Sequence, residues 1–432
     1  MRIHVLAAAT LLAVSSSLHP ATDDPFVVHE WGTFTTAQGS DAEQINWAPL
    51  FSVDLPEFVY SGAGNLGGFR DAAQTFQGKD VIAPVRMETP VIYFYSQQER
   101  VADVRVRFRG GNVSEWYPQA TNLQSLANLL KDPMPAAHSR EFVIDWTGVR
   151  ILPRDTGEAS AGELIRGRDP GHGSHYYAAR ETDANFLRVS SPKASKGVEH
   201  ERLLFYRGVG YFKAPLSVGI DADEQQVYLT AREAEPIAGV FVVTVRNGTM
   251  RYQKLSDAVT NATSAIDVSA QPFGALGEVR ERAMQEMAAA LVEQGLYQKE
   301  AQAMVNTWQD QWFAEEGMRV LYLLPRAWTD RTLQLQVAPR PDSVVRVMVG
   351  RAEIIRPSDE RKLRDQALTF NRGDAKTKAR VVANIGALGQ GRFLPATFWR
   401  LGTVETDPTT QQAIWKLSEA LSAREEPRSA RN

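Results

Sequence analysis

The chain has 432 residues, of which 43% are hydrophobic and 23% are charged, as in ordinary globular proteins. This length exceeds what one core needs, so two or three lobes are expected. The formal net charge of −3 creates no field that recruits nucleic acid, and we expect no nucleic-acid partner. The absence of cysteine excludes disulfides, thiol catalysis and cysteine metal sites.

The first 21 residues have the pattern of an export signal peptide. Arg2 supplies a positive charge, residues 5–14 form an apolar stretch, and Ser15 and Ala21 are among the small residues that permit cleavage. The stretch is too short to span a bilayer, although an uncleaved anchor is the alternative. No later stretch approaches the roughly 20 apolar residues of a transmembrane segment. Together with the missing cysteines, this pattern predicts a periplasmic or secreted bacterial protein.

The first strand is predicted over residues 26–36, where β-branched and aromatic residues dominate. Alternation places Glu30 on one face among apolar neighbours and places His29 and Trp31 on the other face. A carboxylate among apolar groups needs a partner. Glu30 therefore either pairs with an arginine, such as one at residues 105–109, or acts as a general acid. We name His29 and Glu30 as candidate catalytic residues.

A glycine-rich segment follows this strand. Gly62, Gly64 and Gly67 have the G-x-G-x-x-G spacing of dinucleotide-binding loops. No buried parallel strand precedes the glycines and no convincing crossover helix follows them, so a surface loop is favoured over a nucleotide site.

Short strands separated by turn residues continue to about residue 252. Val104 and Val106 alternate with arginines, which predicts a strand with one solvent-facing side. Asn247-Gly248 between two β-rich runs is the strongest hairpin signal in the chain. We therefore predict a large antiparallel β-sandwich-like domain over residues 22–270.

The pattern changes after residue 270. Residues 276–294 and 299–316 have apolar side chains at helical spacing and are separated by Gly295, which predicts a helical hairpin. Further strands and then terminal helices are expected, which makes the fold class mainly β with α additions. The predicted divisions are a signal peptide at 1–21, the β-domain at 22–270, the hairpin with returning strands at 271–355, and a helical region with a charged tail at 356–432.

Two sets of residues are candidates for ligand contacts. His172, His175 and Asp183 combine nitrogen and oxygen ligands in a glycine-rich segment, which suits a divalent metal, the one cofactor that these residues suggest. The spacing is weak because H-E-x-x-H is absent, and solvated loop histidines are the alternative. Trp31, Trp116 and Tyr117 are candidate ligand-binding residues, since exposed aromatic rings can stack on sugars.

Several segments carry a resemblance that covers nearly the whole mature chain. They are FVVHEWGTFTT, RMETPVIYFYS, EWYPQ, HYYAARETDA, LLFYRGVG, GLYQKEAQAMVNTWQDQWFAEEGMRVLYLLPR and VVRVMVGRAEIIRP. In these segments the chain resembles a group of uncharacterised exported bacterial proteins with an HEWGTFT-type N-terminal motif. The resemblance implies export from a bacterial cell and implies no activity, cofactor or catalytic residue.

Three classes of function remain open from the sequence. The first is an exported protein that binds a carbohydrate or another cell-envelope ligand, and this is the class we favour. The second is a metal-assisted hydrolase or lyase that uses His29, Glu30, His172 and His175. The third is a non-catalytic envelope scaffold with a protein partner. A cleft that gathers the histidines would favour the enzyme, whereas an open row of aromatic residues would favour sugar binding.

Overall fold

A central β-sheet organises the computed structural model of the chain, which describes residues 24–49, 55–56, 58–61, 82–123, 141–154, 165, 174–194 and 197–422. In chain order the strands are β1 (Val27–Gly39), β2 (Gln44–Ile45), β3 (Tyr60–Ser61), β4 (Val85–Tyr95), β5 (Arg100–Arg109), β6 (Gly111–Tyr117), β7 (Asn122–Leu123), β8 (Glu141–Ile151), β9 (Leu187–Ser190), β10 (Val198–Glu201), β11 (Leu204–Gly210), β12 (Leu216–Ile220), β13 (Gln226–Ala231), β14 (Phe241–Arg246), β15 (Thr249–Lys254), β16 (Ser264–Asp267), β17 (Gly274–Ala275), β18 (Gly317–Leu323), β19 (Leu333–Ala338) and β20 (Ser343–Ile355).

The helices lie mainly in the second half of the chain. They are α1 (Leu276–Glu293), α2 (Gln298–Phe313), α3 (Arg326–Thr332), α4 (Pro357–Arg372), α5 (Ala375–Asn384), α6 (Leu394–Val404) and α7 (Pro408–Ser422). A short 3-10 helix, His175–Arg180, precedes β9. The fold is therefore mainly β with helical additions, as the sequence predicts. None of the helices in the described ranges combines the length and hydropathy of a membrane-spanning segment.

The central sheet has 11 strands in the order β17-β15-β14-β18-β20-β1-β4-β11-β6-β3, with β2 beside β1. Its middle strand, β1, pairs antiparallel with β4 and parallel with β20. Among the described strands this is the one parallel pair, and it departs from the purely antiparallel arrangement expected from the sequence. Local patterns do not reveal it, because the partners are separated by most of the chain.

The two faces of the central sheet are covered differently. On one face, Val28 and Phe34 belong to a core shared with two smaller sheets, β10-β9-β8-β5-β19 with β7, and β12-β13-β16. On the other face, Trp31 belongs to a core shared with α1, α2 and the 3-10 helix. The alternation predicted for β1 is therefore confirmed, since odd- and even-numbered side chains enter different cores.

The central sheet crosses the division expected at residue 270. β14 and β15 precede that position and β18 and β20 follow it, yet all four strands lie in this sheet. Helices α4 to α7 have a core of their own, which includes Leu363 and Leu401. A fourth small cluster contains Trp47, Ile355 and Phe393, and it joins the C-terminal helices to the sheet.

Candidate functional site

His29 is buried on the helix-facing side of the sheet. Its Nδ1 lies 2.6 Å from Oε2 of Glu300, and the Tyr95 hydroxyl donates to Oε1 of the same carboxylate at 2.7 Å. Glu300 is the third residue of α2 and also accepts the Tyr297 backbone N–H at 2.8 Å, which satisfies one of the free donors at the helix start. The His29–Glu300 pair therefore anchors α2 to the middle strand of the sheet.

Glu30 is buried on the opposite side of the same strand. It accepts hydrogen bonds from the Tyr206 hydroxyl and from Nε of Arg346, each at 2.5 Å. Arg346 lies directly opposite Glu30 on β20 and also donates to Asp330 at 2.7 Å. Of the two alternatives for Glu30, the structure shows the ion pair with an arginine. The arginine comes from β20 and not from β5. Because His29 and Glu30 enter different cores, they do not form one reaction centre.

The three aromatic candidates are not on the surface. Trp31 and Tyr117 are 0% exposed and Trp116 is 2% exposed. Trp31 and Tyr117 pack in the helix-facing core, and Trp116 packs in the core on the other face. The expectation that these rings are exposed for sugar stacking is wrong, because central strands bury both of their faces here.

The metal candidates are only partly described. His172 lies outside the described residues. His175 packs against Trp308, with ring centroids 4.9 Å apart, whereas Asp183 is exposed and binds Lys299 at 2.6 Å. Within the described ranges, no group of three or more His, Cys, Asp or Glu side chains is arranged to hold a metal ion. The metal site stays a prediction.

A different group of residues crosses the helix-facing side of the central sheet, and sequence reasoning did not single it out. The polar band, as we call it, consists of Glu115 (β6), Arg207 (β11), Arg86 and Glu88 (β4), Thr33 and Thr35 (β1), Arg351 and Glu353 (β20), and Arg319 (β18). The strand register places these residues side by side: Thr35 is opposite both Arg86 and Arg351, and Arg319 is opposite Glu353. Apart from half-buried Glu115, all are buried.

Ion pairs fix the arginines at the β18–β20 end of the band. Nη2 of Arg351 donates to Glu353 at 2.6 Å and to Glu315 at 2.8 Å. Nε of Arg319 donates to Glu353 at 3.0 Å, and its Nη2 donates to the backbone carbonyls of Glu315 and Glu316. These last contacts satisfy carbonyl groups just beyond the end of α2, so the helix terminus and the band stabilise each other.

The segment before α6 closes over the band. Nη1 of Arg392 donates to Glu88 at 2.8 Å. The guanidinium groups of Arg351 and Arg392 lie 4.9 Å and 5.1 Å from the centre of the Phe393 ring. Both distances are within the range of cation–π attraction. The aromatic ring therefore holds two arginines together that would otherwise repel each other.

Several polar atoms in and beside the band are buried without a hydrogen-bond partner. They are Nη1 of Arg351, Nε of Arg392, both amide atoms of Gln390, and the hydroxyls of Thr33, Thr35 and Thr89. Thr89 also has a positive φ of 43°, which is uncommon for a β-branched residue. Buried polar groups are nearly always paired in folded proteins, so this concentration of unpaired atoms makes the band the candidate site among the described residues.

The charges of the band nearly cancel. Its four arginines, with Arg392 beside them, face its three glutamates and the neighbouring Glu315, which leaves one positive charge. Burial raises the pKa of Glu315, but Arg351, Arg392 and Arg319 outweigh it and lower this pKa to about 2. Burial lowers the pKa of Arg351, but Glu353 and Glu315 raise it above its ordinary value. Both groups are therefore charged at neutral pH.

The sequence contains one signal that points to the band. Charged residues at positions i and i+2 lie on one face of a strand, and Arg86 with Glu88 and Arg351 with Glu353 have this spacing inside apolar strands. Taken alone, either pair of charged residues would indicate a strand whose one face is exposed to solvent. The strands β4 and β20 are nevertheless buried along most of their length, so the charges lie inside the protein.

Comparisons with known proteins provide no assignment. No family model matches the chain, and no curated protein matches it. Among solved structures, it is similar to the Fcho1 Mu homology domain from Danio rerio with bound Eps15 peptide. That similarity has 8% sequence identity and a TM-score of 0.24, and covers 77% of this chain and 97% of that chain. These values are too low to support an inference about function.

Proposed function

We propose that the protein is an exported binding protein whose ligand carries a carboxylate, phosphate or sulfate group, held by the polar band. The observation that carries this proposal is Nη1 of Arg351. Its side chain is 0% exposed and fixed by Glu315 and Glu353, yet this atom has no hydrogen-bond partner. An arginine N–H is a donor only, so its partner must be an acceptor.

The other unpaired groups favour the same ligand chemistry. Nε of Arg392 and Nε2 of Gln390 are also donors, and the hydroxyls of Thr33 and Thr35 can donate. Anionic oxygens accept such hydrogen bonds most strongly, and the planar guanidinium matches their geometry. The single excess positive charge of the band suits a ligand group with about one negative charge.

This proposal narrows the cell-envelope ligand expected from the sequence. A neutral sugar would need exposed aromatic rings, and Trp31, Trp116 and Tyr117 are buried. An acidic sugar, such as a uronate or a sugar phosphate, offers both hydroxyl groups and an anionic group to the band. The metal-assisted hydrolase gains no support from the described residues, because His29 and Glu30 lie on opposite faces of β1.

The test is a binding measurement with matched acidic and neutral probes. Glucuronate, glucose 6-phosphate, inorganic phosphate and glucose are titrated into the purified mature protein by calorimetry. We expect at least one acidic probe to bind with a dissociation constant below about 1 mM and glucose not to bind. Equal behaviour of acidic and neutral probes, or no binding by any of them below about 10 mM, would overturn the proposal.

Two variants connect binding to the band. Thr35→Val removes an unpaired hydroxyl while keeping the shape of the side chain, so the variant is expected to fold. Arg392→Gln removes a charge that covers the band. Each is expected to weaken binding of the acidic probe about tenfold. Arg331→Gln is the matched control, because Arg331 is exposed and paired with Glu233 and Glu235 on another surface; binding by this variant should equal that of the wild type.

A further inference from the structure

A cleft lies at the edge of the central sheet where β15 and β17 meet α1. It has a volume of about 480 Å³ and is lined by residues 251–254 of β15, residues 271–274 and side chains of α1. Consecutive residues of a strand point to opposite faces of a sheet. A cleft that is lined by four consecutive residues therefore runs along the strand edge and does not lie on either face.

The edge of β15 is open along this cleft. β17 pairs with β15 only at Thr249 and Met250. Arg246 is paired with Thr249 across the two-residue turn, so the backbone groups of Tyr252 and Lys254 point away from β14. A hydrogen bond from the Leu255 N–H to Val240 at 2.9 Å confirms this alternation. In the described part of the chain, no strand pairs with β15 at Tyr252 or Lys254.

The charges around the cleft are mainly positive. Arg251, Lys254 and Arg282 line it together with a single carboxylate, Glu286, which leaves two positive charges. Asp267 also faces Arg251 from β16 and reduces this excess to one. Such a field attracts negatively charged segments.

Two further observations indicate that the cleft binds a ligand. Nε of Arg251 and Oε1 of Gln253 are buried without a hydrogen-bond partner. The Arg251 guanidinium lies 4.6 Å from the centre of the Phe273 ring, and this ring is 40% exposed. The cleft thus combines an apolar contact with unpaired donor and acceptor atoms.

We propose that this edge binds an extended, acidic peptide segment of another protein, which adds to the sheet as a further strand beside β15. Main-chain hydrogen bonds to Tyr252 and Lys254 supply affinity that does not depend on the peptide's sequence. The basic side chains of the cleft select acidic segments. Phe273 provides a contact for one apolar side chain of the peptide. This binding is independent of the polar band, which lies on other strands of the sheet.

The probe is a fluorescein-labelled ten-residue peptide of alternating Glu and Val, measured by fluorescence anisotropy with the full mature protein. Two control peptides are an analogue with Lys in place of Glu, and an analogue with the same side chains but N-methylated at alternate residues. Only the unmodified acidic peptide is expected to bind. N-methylation should weaken binding more than tenfold, because it removes the hydrogen bonds between the strands.

Two variants distinguish strand pairing at the β15 edge from general electrostatic attraction of the peptide. Arg251→Gln with Lys254→Gln is expected to weaken binding about tenfold and to reduce its salt dependence. Tyr252→Pro removes an outward-facing N–H that β14 does not use, and it should abolish binding while circular dichroism remains that of the wild type. Hydrogen exchange at Tyr252 and Lys254 should slow when the peptide is bound. Equal binding of the methylated and unmodified peptides, or unchanged exchange at saturation, would overturn the proposal.

Discussion

The helix-facing side of the central sheet has two halves that differ sharply in chemistry. In one half, Trp31, Tyr93 and Phe205 pack under α1 and α2 in an apolar core. In the other half, a few residues further along the same strands, the polar band replaces them. On β1 the change occurs between Trp31 and Thr33, where the pairing with β4 also shifts register.

The difference between the halves shows which part of this face is built for stability. Burial of apolar side chains stabilises a fold directly. Buried ion pairs contribute no more to stability than apolar residues of the same size and often contribute less, and unpaired buried polar atoms destabilise the fold. The apolar half therefore supports the sheet, whereas the polar half is retained at the expense of stability, as expected for a binding site.

The largest effect is expected in the apolar half. Trp31→Ala removes a ring that is 0% exposed, and it should lower the free energy of unfolding by about 3–5 kcal/mol. Urea denaturation followed by circular dichroism measures this change. Trp399→Ala is the control, because Trp399 is 41% exposed and its loss should have a small effect. If the Trp31→Ala variant is as stable as the wild type but binds ligand more weakly, Trp31 is a ligand-binding residue, as the sequence predicted.

The next effect is a pH dependence of the free energy of unfolding that arises in the polar half. The pKa of Glu315 is about 2 in the folded protein against an ordinary 4.5, so its ionised form stabilises the fold. This stabilisation is complete above about pH 4.5 and is lost as the pH falls towards 2, a change of roughly 3 kcal/mol. Stability measured between pH 6 and pH 2 should fall less steeply in Glu315→Gln than in the wild type. Parallel profiles would contradict the ion pairing described for Glu315.

A smaller effect is expected from the centre of the ion-pair network. Glu353→Gln keeps the shape of the side chain but removes the charge that Arg319 and Arg351 share. We expect a loss of about 1–3 kcal/mol in the free energy of unfolding. Lys213→Gln breaks the exposed pair with Glu43 and should change stability by less than about 0.5 kcal/mol. Similar values for both variants would show that the band is effectively solvated.

The smallest effect tests whether the threonine hydroxyls are retained for binding. Thr35→Val removes an unpaired buried hydroxyl, so the ligand-free protein should gain up to about 1 kcal/mol of stability. The same variant should bind the acidic probe more weakly. Thermal unfolding with and without glucuronate measures both changes. A loss of stability without ligand would show that this hydroxyl has a structural role.

Local sequence patterns predicted much of the fold. The alternation on β1 assigned its side chains to the correct faces, and Asn247-Gly248 forms the expected two-residue turn, with φ values of 51° and 73°. The helical spacing before and after Gly295 marked α1 and α2 to within a few residues. These features depend on neighbouring residues, which a single sequence contains in full.

The features that depend on distant residues were not predictable in the same way. The sequence indicated that Glu30 needs a partner, but Arg346 is 316 positions away along the chain. The polar band combines residues of six strands, and each strand contributes only one or two of them. Helix α6 (Leu394–Val404) lies inside the helical region predicted at 356–432, although Pro395 at its start and Gly402 near its end do not mark its bounds. Only the assembled sheet shows which of these residues meet.

The pairing of β1 with β20 also determines the order in which the fold is completed. β1 is among the first strands to leave the ribosome, but its parallel partner begins at Ser343. Until that segment is synthesised, one edge of β1 stays open and the central sheet remains in two parts. The central sheet is therefore completed only after Ser343–Ile355 has been synthesised.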